Sequence, residues 1–274
     1  MKKLFILPFL IIGTFPICHA QMLKKLGKQL EKQADKIVIQ KVDQLLDENK
    51  NTKRSSIQNN NQTGPFRNLP PLENDYARGR EHIFEDNFVN EVIGQMASKW
   101  ISNGRGNIVE ISSYPGKWLQ LFNANTYKIK ELIKLPENFT IEFDVLTFSE
   151  SKHEFRLDFG FDYEKGVGNH YFLANQNPVN ITASYWFNRF EFDSREVSPK
   201  KHSEVEANMS YFANDIMNVK IKVEGKHMST YVNDYKILDT EMIDPFTKKY
   251  FYFAYNSDDK SAKMYINNFR IDKL

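Results

Sequence analysis

The sequence predicts an all-β protein built as an antiparallel β-sandwich, and three observations predict it. From about His82 to the C-terminus apolar and polar residues alternate: Phe139, Ile141, Phe143 and Val145 are separated by Thr140, Glu142 and Asp144, and Phe155, Leu157, Phe159 and Phe161 by Arg156, Asp158 and Gly160. A period of two puts one set of side chains on one face, so each run makes a strand with one apolar side. Turn-forming residues separate such runs at Tyr114-Pro115-Gly116, Glu164 to Gly168, Glu224-Gly225-Lys226, Val232-Asn233-Asp234 and Asn256 to Asp259. Helical periodicity is confined to the N-terminal part. Many short strands with little helix between them make a sandwich, with a barrel as the alternative, and no fixed-period repeat points to a propeller or solenoid.

At the N-terminus, Lys2 and Lys3 precede an apolar run from Leu4 to Ile17, and Cys18-His19-Ala20 follows with small residues. Residues 1–20 read as a cleaved signal peptide, which predicts an exported protein of the periplasm, the outer membrane or the extracellular space. Cys18 is the single cysteine, so cleavage leaves no disulfide and stability must come from the core. Lipid attachment at Cys18 would need small residues before it, where Phe15, Pro16 and Ile17 stand. No later apolar stretch has the length a bilayer span requires.

Residues 21–49 form an amphipathic helix by pattern, with Leu23, Leu26, Leu30, Ala34, Ile37, Val38, Val42, Leu45 and Leu46 on one stripe. Such a stripe docks on its own domain, pairs with a second copy or lies on a membrane; charges of both signs on the other face favour docking or self-association. Residues 50–78 are rich in Asn, Gln, Ser, Thr and Pro and predict a disordered linker, because they offer little apolar surface to offset ordering entropy.

Residues 79–274 form the sandwich. Besides the two runs above, strands are expected at Ile108 to Ser112, Lys117 to Phe122, Tyr127 to Ile133, His170 to Ala174, Ile181 to Asp193, Val219 to Glu224, Met228 to Val232, Tyr250 to Tyr255 and Ala262 to Ile271. The formal net charge of +2 carries no nucleic-acid footprint.

Asn218 to Asp239, with Lys220-Ile221-Lys222-Val223-Glu224-Gly225 leading to Tyr231-Val232-Asn233-Asp234, resembles the strand, turn, strand and small loop near the end of concanavalin A-like (laminin-G-like) jelly-roll domains. Met264 to Ile271 resembles their terminal strand. Phe84-Glu85-Asp86-Asn87-Phe88, Gly116-Lys117-Trp118-Leu119 and Leu135 to Thr140 are similar to the sandwich of envelope proteins that carry an outer-membrane protein A-like peptidoglycan-binding domain. The resemblance implies a jelly roll and an envelope location. In those proteins the peptidoglycan-binding domain follows the sandwich; here the sequence stops at Leu274, so anchoring through that domain is not implied.

Glu191-Phe192-Asp193-Ser194-Arg195-Glu196 spells E-x-D-x-x-E, the pattern of laminarinase-type glucanases on the same fold. A bulged strand would bring Glu191 and Glu196 to one face at the separation a retaining glycosidase needs. The polar Ser194 and Arg195 and the charged stretch Ser198-Pro199-Lys200-Lys201 point instead to a solvated strand end, so a non-catalytic role leads and hydrolysis is the alternative, beside a purely structural one. Glu142 and Asp144 lie on the polar face of one strand and Arg156 and Asp158 on that of the next, placed for cross-strand ion pairs or for hydrogen bonds to sugar hydroxyls. In Tyr185-Trp186-Phe187-Asn188-Arg189-Phe190, alternation exposes either Tyr185 and Phe187 or Trp186 and Phe190; in Tyr250 to Tyr255 it leaves Tyr250 and Tyr252 on the polar side. Exposed rings would form a sugar platform or an interaction patch, and buried ones would pack between sheets. The expected partner is a polysaccharide or another envelope protein.

His82, His153, His170, His202 and His227 show no zinc spacing. Calcium is the one ion left open, at Asn256, Asp258 and Asp259. No nucleotide-binding or hydrolase-elbow motif occurs.

Overall fold

The computed structural model describes residues 64–66, 69, 75–131, 133–150, 154–168 and 177–274. The expected signal peptide, the helix at 21–49 and the strand at His170 to Ala174 lie outside the described residues. Among those described, fifteen strands form two antiparallel sheets. The eight-stranded sheet runs β13 (Tyr235–Glu241), β12 (His227–Val232), β11 (Ile216–Glu224), β6 (Asn138–Phe148), β15 (Lys263–Lys273), β4 (Tyr114–Leu121) and β3 (Gly106–Ile111), with β1 (Glu81–Asp86) also paired to β15. The seven-stranded sheet runs β10 (Lys201–Glu206), β9 (Arg189–Ser194), β8 (Val179–Ser184), β7 (Phe155–Asp162), β14 (Tyr250–Ser257), β5 (Asn125–Ile129) and β2 (Trp100–Ser102). Neither sheet closes on itself, so the architecture is a sandwich.

The alternating residues meet between the sheets. Phe143 of β6 packs edge-on against Phe159 of β7 and Phe253 of β14, with ring centroids 5.3 and 4.9 Å apart, and Phe251 lies 5.2 Å from Phe269 of β15. Aromatic rings thus fill the centre, each gaining burial and edge-to-face contact together.

Several expectations need correction. Ile181 to Asp193 is not one strand; the chain turns at 185–188, with Asn188 at φ 53°, and β8 and β9 form a hairpin. Alternation therefore does not govern the aromatic run: Tyr185 is buried, Trp186 half-buried and Phe187 exposed. Tyr114-Pro115-Gly116 begins β4, and the turn lies just before it at 112–113. After Ser198-Pro199-Lys200-Lys201, read as a charged stretch past a solvated strand end, the chain does not stay a loop: Lys201–Glu206 is the edge strand β10. Only Val205 of this edge strand packs against the core, so its sequence carries almost no apolar side.

The linker boundary also shifts. The sandwich unit spans Gln62–Leu274, and described residues before 79 are anchored to it. Phe66 is buried beside Phe190, Phe212 and Tyr235, and the Pro65 carbonyl accepts the Asn208 amide. One phenyl group placed in a core recovers the ordering entropy of a few residues, which a composition average hides.

Candidate functional site

The strands β6 and β7, consecutive in sequence, belong to different sheets. Glu142 and Asp144 therefore lie on the outer face of one sheet and Arg156 and Asp158 on the outer face of the other, so the expected pairing across neighbouring strands does not occur.

On the seven-stranded sheet, Leu157, Phe159, Ile181, Ala183, Phe190 and Phe192 turn inward and their neighbours outward. The outward residues fall in rows: Glu204, Glu191, Thr182, Asp158 and Ala254 in one, His202, Asp193, Asn180, Gly160, Tyr252 and Lys128 in the next. The middle of this face is buried and internally bonded. Thr182 Oγ1 donates to Asp158 Oδ1 at 2.6 Å, Asn180 Nδ2 to Thr182 Oγ1 at 3.0 Å, and Arg156 Nε lies 3.0 Å from Asp158 Oδ2. Burial pushes the Asp158 carboxyl above its ordinary range, against the pull of Arg156 and of the hydrogen bonds it accepts from Thr182 and Asn180. The Tyr252 hydroxyl donates to Asn180 Oδ1, and burial holds that phenol well above its usual value. Gly160 stands between these two residues, with φ +148°. Without a Cβ there, the tyrosine ring can cross it to reach the next strand. Beside it, buried Lys128 pairs with Asp162 at 2.6 Å and donates to the carbonyls of Glu164 and Gly166, clamping the loop after β7.

The accessible part of the face is its β9–β10 side. Arg189 Nε donates to Glu191 Oε1 at 2.6 Å and its Nη1 to Glu204 Oε2 at 3.1 Å. His202 bridges Asp193 at 2.7 Å and Glu204 at 3.1 Å, and these partners, Asp193 first, raise its pKa. The Arg189 guanidinium sits 5.0 Å from the centre of the Phe187 ring, which is 66 % exposed at the hairpin tip. Donors, acceptors and one flat apolar ring are thus presented together to solvent.

On the eight-stranded sheet, a strap at 75–80 crosses Glu142. Arg78 Nε and the Tyr76 hydroxyl donate to Glu142 Oε1 at 2.6 and 2.7 Å, and Arg78 Nη2 to Oε2. Burial would raise the Glu142 pKa, but Arg78 and Tyr76 outweigh it and hold the carboxyl below its ordinary range. Asp75 takes hydrogen bonds from Tyr231 at 2.8 Å and Lys236 at 2.7 Å. Asp144 accepts from Asn218 and from Asn268, which lies at φ 51° in a bulge of β15. Glu142 and Asp144 are therefore engaged within the chain and do not join Arg156 and Asp158 in one site.

The E-x-D-x-x-E residues separate as well. Glu191 and Asp193 share the outer face of β9, which ends at Ser194. Glu196 lies beyond it with its side chain fully buried, accepting from the Asp244 amide at 2.8 Å and pairing with Lys249 at 3.3 Å. It shares no open cleft with Glu191, so the paired carboxylates of a retaining glycosidase are not assembled. Tyr250 is half-buried and lines a pocket with Ile129, Ile133 and Leu135, while Tyr252 is fully buried. In the β14–β15 turn Asp259 accepts from Ser149 and Ser261, and among the described residues no three His, Cys, Asp or Glu side chains are grouped to hold a metal ion.

Sequence reasoning missed Arg189, His202 and Glu204 as site residues and left Phe187 as one of two alternatives for an exposed ring. The alternation of His202, Glu204 and Glu206 with Ser203 and Val205 carried a weak period of two, and Asn188 marked the turn.

No protein-family model matches the chain, and no curated protein matches its sequence. Among solved structures the chain is similar to the carbohydrate recognition domain of Emp47p, at TM-score 0.50 and 8% identity over 69% of this chain and 94% of that one. It is also similar to the carbohydrate-binding module CBM66 from Bacillus subtilis, at TM-score 0.45 and 14% identity over 66% of this chain and 100% of that one. A sialidase matches at TM-score 0.47 and 13% identity over 72% of this chain, which spans 19% of the sialidase. At such identities the likeness is one of fold: a concanavalin A-like sandwich of two antiparallel sheets.

Proposed function

We propose that this is an exported, non-catalytic binding protein of the cell envelope whose sandwich takes a polysaccharide through the β9–β10 side of the seven-stranded sheet. The observation that carries the reading is the linked group of half-buried Arg189 and Glu191 with exposed Glu204 and His202, bordered by the Phe187 ring. Sugar hydroxyls need paired donors and acceptors held in fixed geometry, and a pyranose offers an apolar C–H face to a ring. The likeness in fold to a carbohydrate recognition domain supports it. Engagement of Glu196 by Lys249 and the Asp244 amide favours binding over hydrolysis.

The test is a glycan array probed with the exported chain, assayed afterwards for released sugar. Binding without release is expected, weakened about 3- to 10-fold by Phe187→Ala and abolished by Arg189→Ala. Release of sugar, or a blank array at high protein concentration, would overturn the reading. Export is tested by the N-terminal sequence of the mature chain, expected to begin at Gln21.

A further inference from the structure

Three loops meet around Glu196: 162–168, 195–200 and 242–249. The Glu196 carboxylate accepts from the Asp244 amide at 2.8 Å and from Thr247 Oγ1 at 2.5 Å, and it pairs with Lys249, whose ammonium also donates to the carbonyls of Asp244 and Thr247. Ser194 Oγ donates to the Met242 carbonyl at 2.6 Å, and the Arg195 amide to the Pro178 carbonyl at 2.8 Å. The 242–249 loop is therefore braced along its length from inside the protein.

That braced loop leaves Phe246 90 % exposed. Tyr163, on the loop after β7, is 48 % exposed beside the same carboxylate; partial burial and that charge push its phenol up to about 12. A loop with freedom to fold its phenyl group inward would gain the burial energy; here the ionic hub holds it outward, the arrangement of a contact ring. The same loops carry exposed Lys165, Arg195, Lys200 and Lys248, none in an ion pair among the described residues. Of the acids on these loops, Asp162 is paired with Lys128, Glu196 with Lys249, and Asp244 accepts the Phe246 amide, leaving Glu164 as the exposed one. The loops thus show solvent two rings and four cations against one exposed acid.

We propose that this loop end binds an anionic polysaccharide, one bearing carboxylate or sulfate groups, with Phe246 and Tyr163 against sugar faces and Arg195, Lys200 and Lys248 on the anions. The proposal rests on the carbohydrate reading above and narrows it to a charge class and a second surface. Cations without partners attract polyanions at long range and then pair at contact. A lipid surface would draw on a larger apolar area than one phenyl group and one tyrosine edge supply.

The experiment measures binding of the full chain to polygalacturonate, dextran sulfate, neutral dextran and phosphatidylglycerol vesicles, for the wild type, Phe246→Ala and the double variant Arg195→Gln/Lys248→Gln. All substituted positions are exposed, so an unchanged thermal midpoint shows that each variant folds. The expected result is binding to polygalacturonate or dextran sulfate but not to dextran, weakened about tenfold by either variant and further by salt. Equal binding by all three proteins, or loss in the charge variant with no effect of Phe246→Ala, would overturn the proposal as simple ion exchange. Vesicle binding lost in the same variants would overturn it in favour of a membrane. Neutral glycans bound through Phe187 with acidic ones ignored would overturn it while the sheet-face reading stands, whereas no glycan bound at all removes both.

Discussion

Arg78 grips Glu142 from 64 residues away in sequence, one guanidinium nitrogen on each carboxylate oxygen, with the Tyr76 hydroxyl joining on Oε1. The contact fastens the strap at 75–80 to the outside of β6. Arg78→Ala removes the counter-charge of a mostly buried carboxylate. Because the Arg78 side chain is half exposed, solvent screening discounts the effect, and the expected loss is about 1–2 kcal/mol. Urea denaturation of the full chain measures it; a midpoint equal to wild type would show that the strap adds nothing to stability.

Lys128→Met leaves Asp162 buried without its cation, for an expected loss of about 3–5 kcal/mol. The double variant Lys128→Met/Asp162→Leu should recover part of that, since no unpaired charge remains inside. Chemical denaturation of both variants tests this, and a double variant as weak as the single one would contradict it.

Glu196→Ala and Glu191→Gln separate a structural carboxylate from a surface one. The first leaves the Lys249 ammonium buried without its carboxylate partner and should cost about 3 kcal/mol, while the second should stay within about 1 kcal/mol. Similar melting points for the two would refute the assignment.

Gly160→Ala should prevent stable folding. An added Cβ would stand 2.3 Å from the Val179 carbonyl oxygen, at a φ of +148°, and a backbone atom in a central strand has nowhere to move. Soluble yield and circular dichroism report the outcome.

The His202 pairs with Asp193 and Glu204 raise its folded pKa above the ordinary value of about 6.5. A raised histidine pKa gives stability that is complete below the unfolded value and disappears as pH climbs through the folded one. The melting difference between wild type and His202→Gln is therefore expected to be larger at pH about 5.5 than at pH about 8.5, on either side of the histidine range. An equal difference at both would show that the charged form does not matter.

The legibility of the sequence followed the burial of its faces. In β6 and β7 one side meets the core and the other does not, so Phe143 and Phe159 announce their strands by alternation alone. The assignment of those two strands to different sheets depends on which edges β11, β15, β8 and β14 occupy, and nothing local encodes that. β10 was hidden because its inward side carries a single apolar residue, Val205, and Phe66 because a single anchor has no period. At the candidate site, the spacing of Glu191 and Asp193 is enough to put them on one face. Bringing Glu196 beside them would need a strand that continues past Ser194, and it fails because the partners that draw Glu196 inward, Asp244 and Lys249, lie 48 residues and more further along the chain.

The strand β10 closes one edge of the seven-stranded sheet with Lys201, His202, Glu204 and Glu206 in six residues. A foreign strand approaching that edge would have to set its own side chains against charges of both signs, two of them already committed to Arg189 and Asp193. The open hydrogen-bonding groups there are thereby guarded against cross-β growth, and a chain crowded among its copies keeps its sheet to itself.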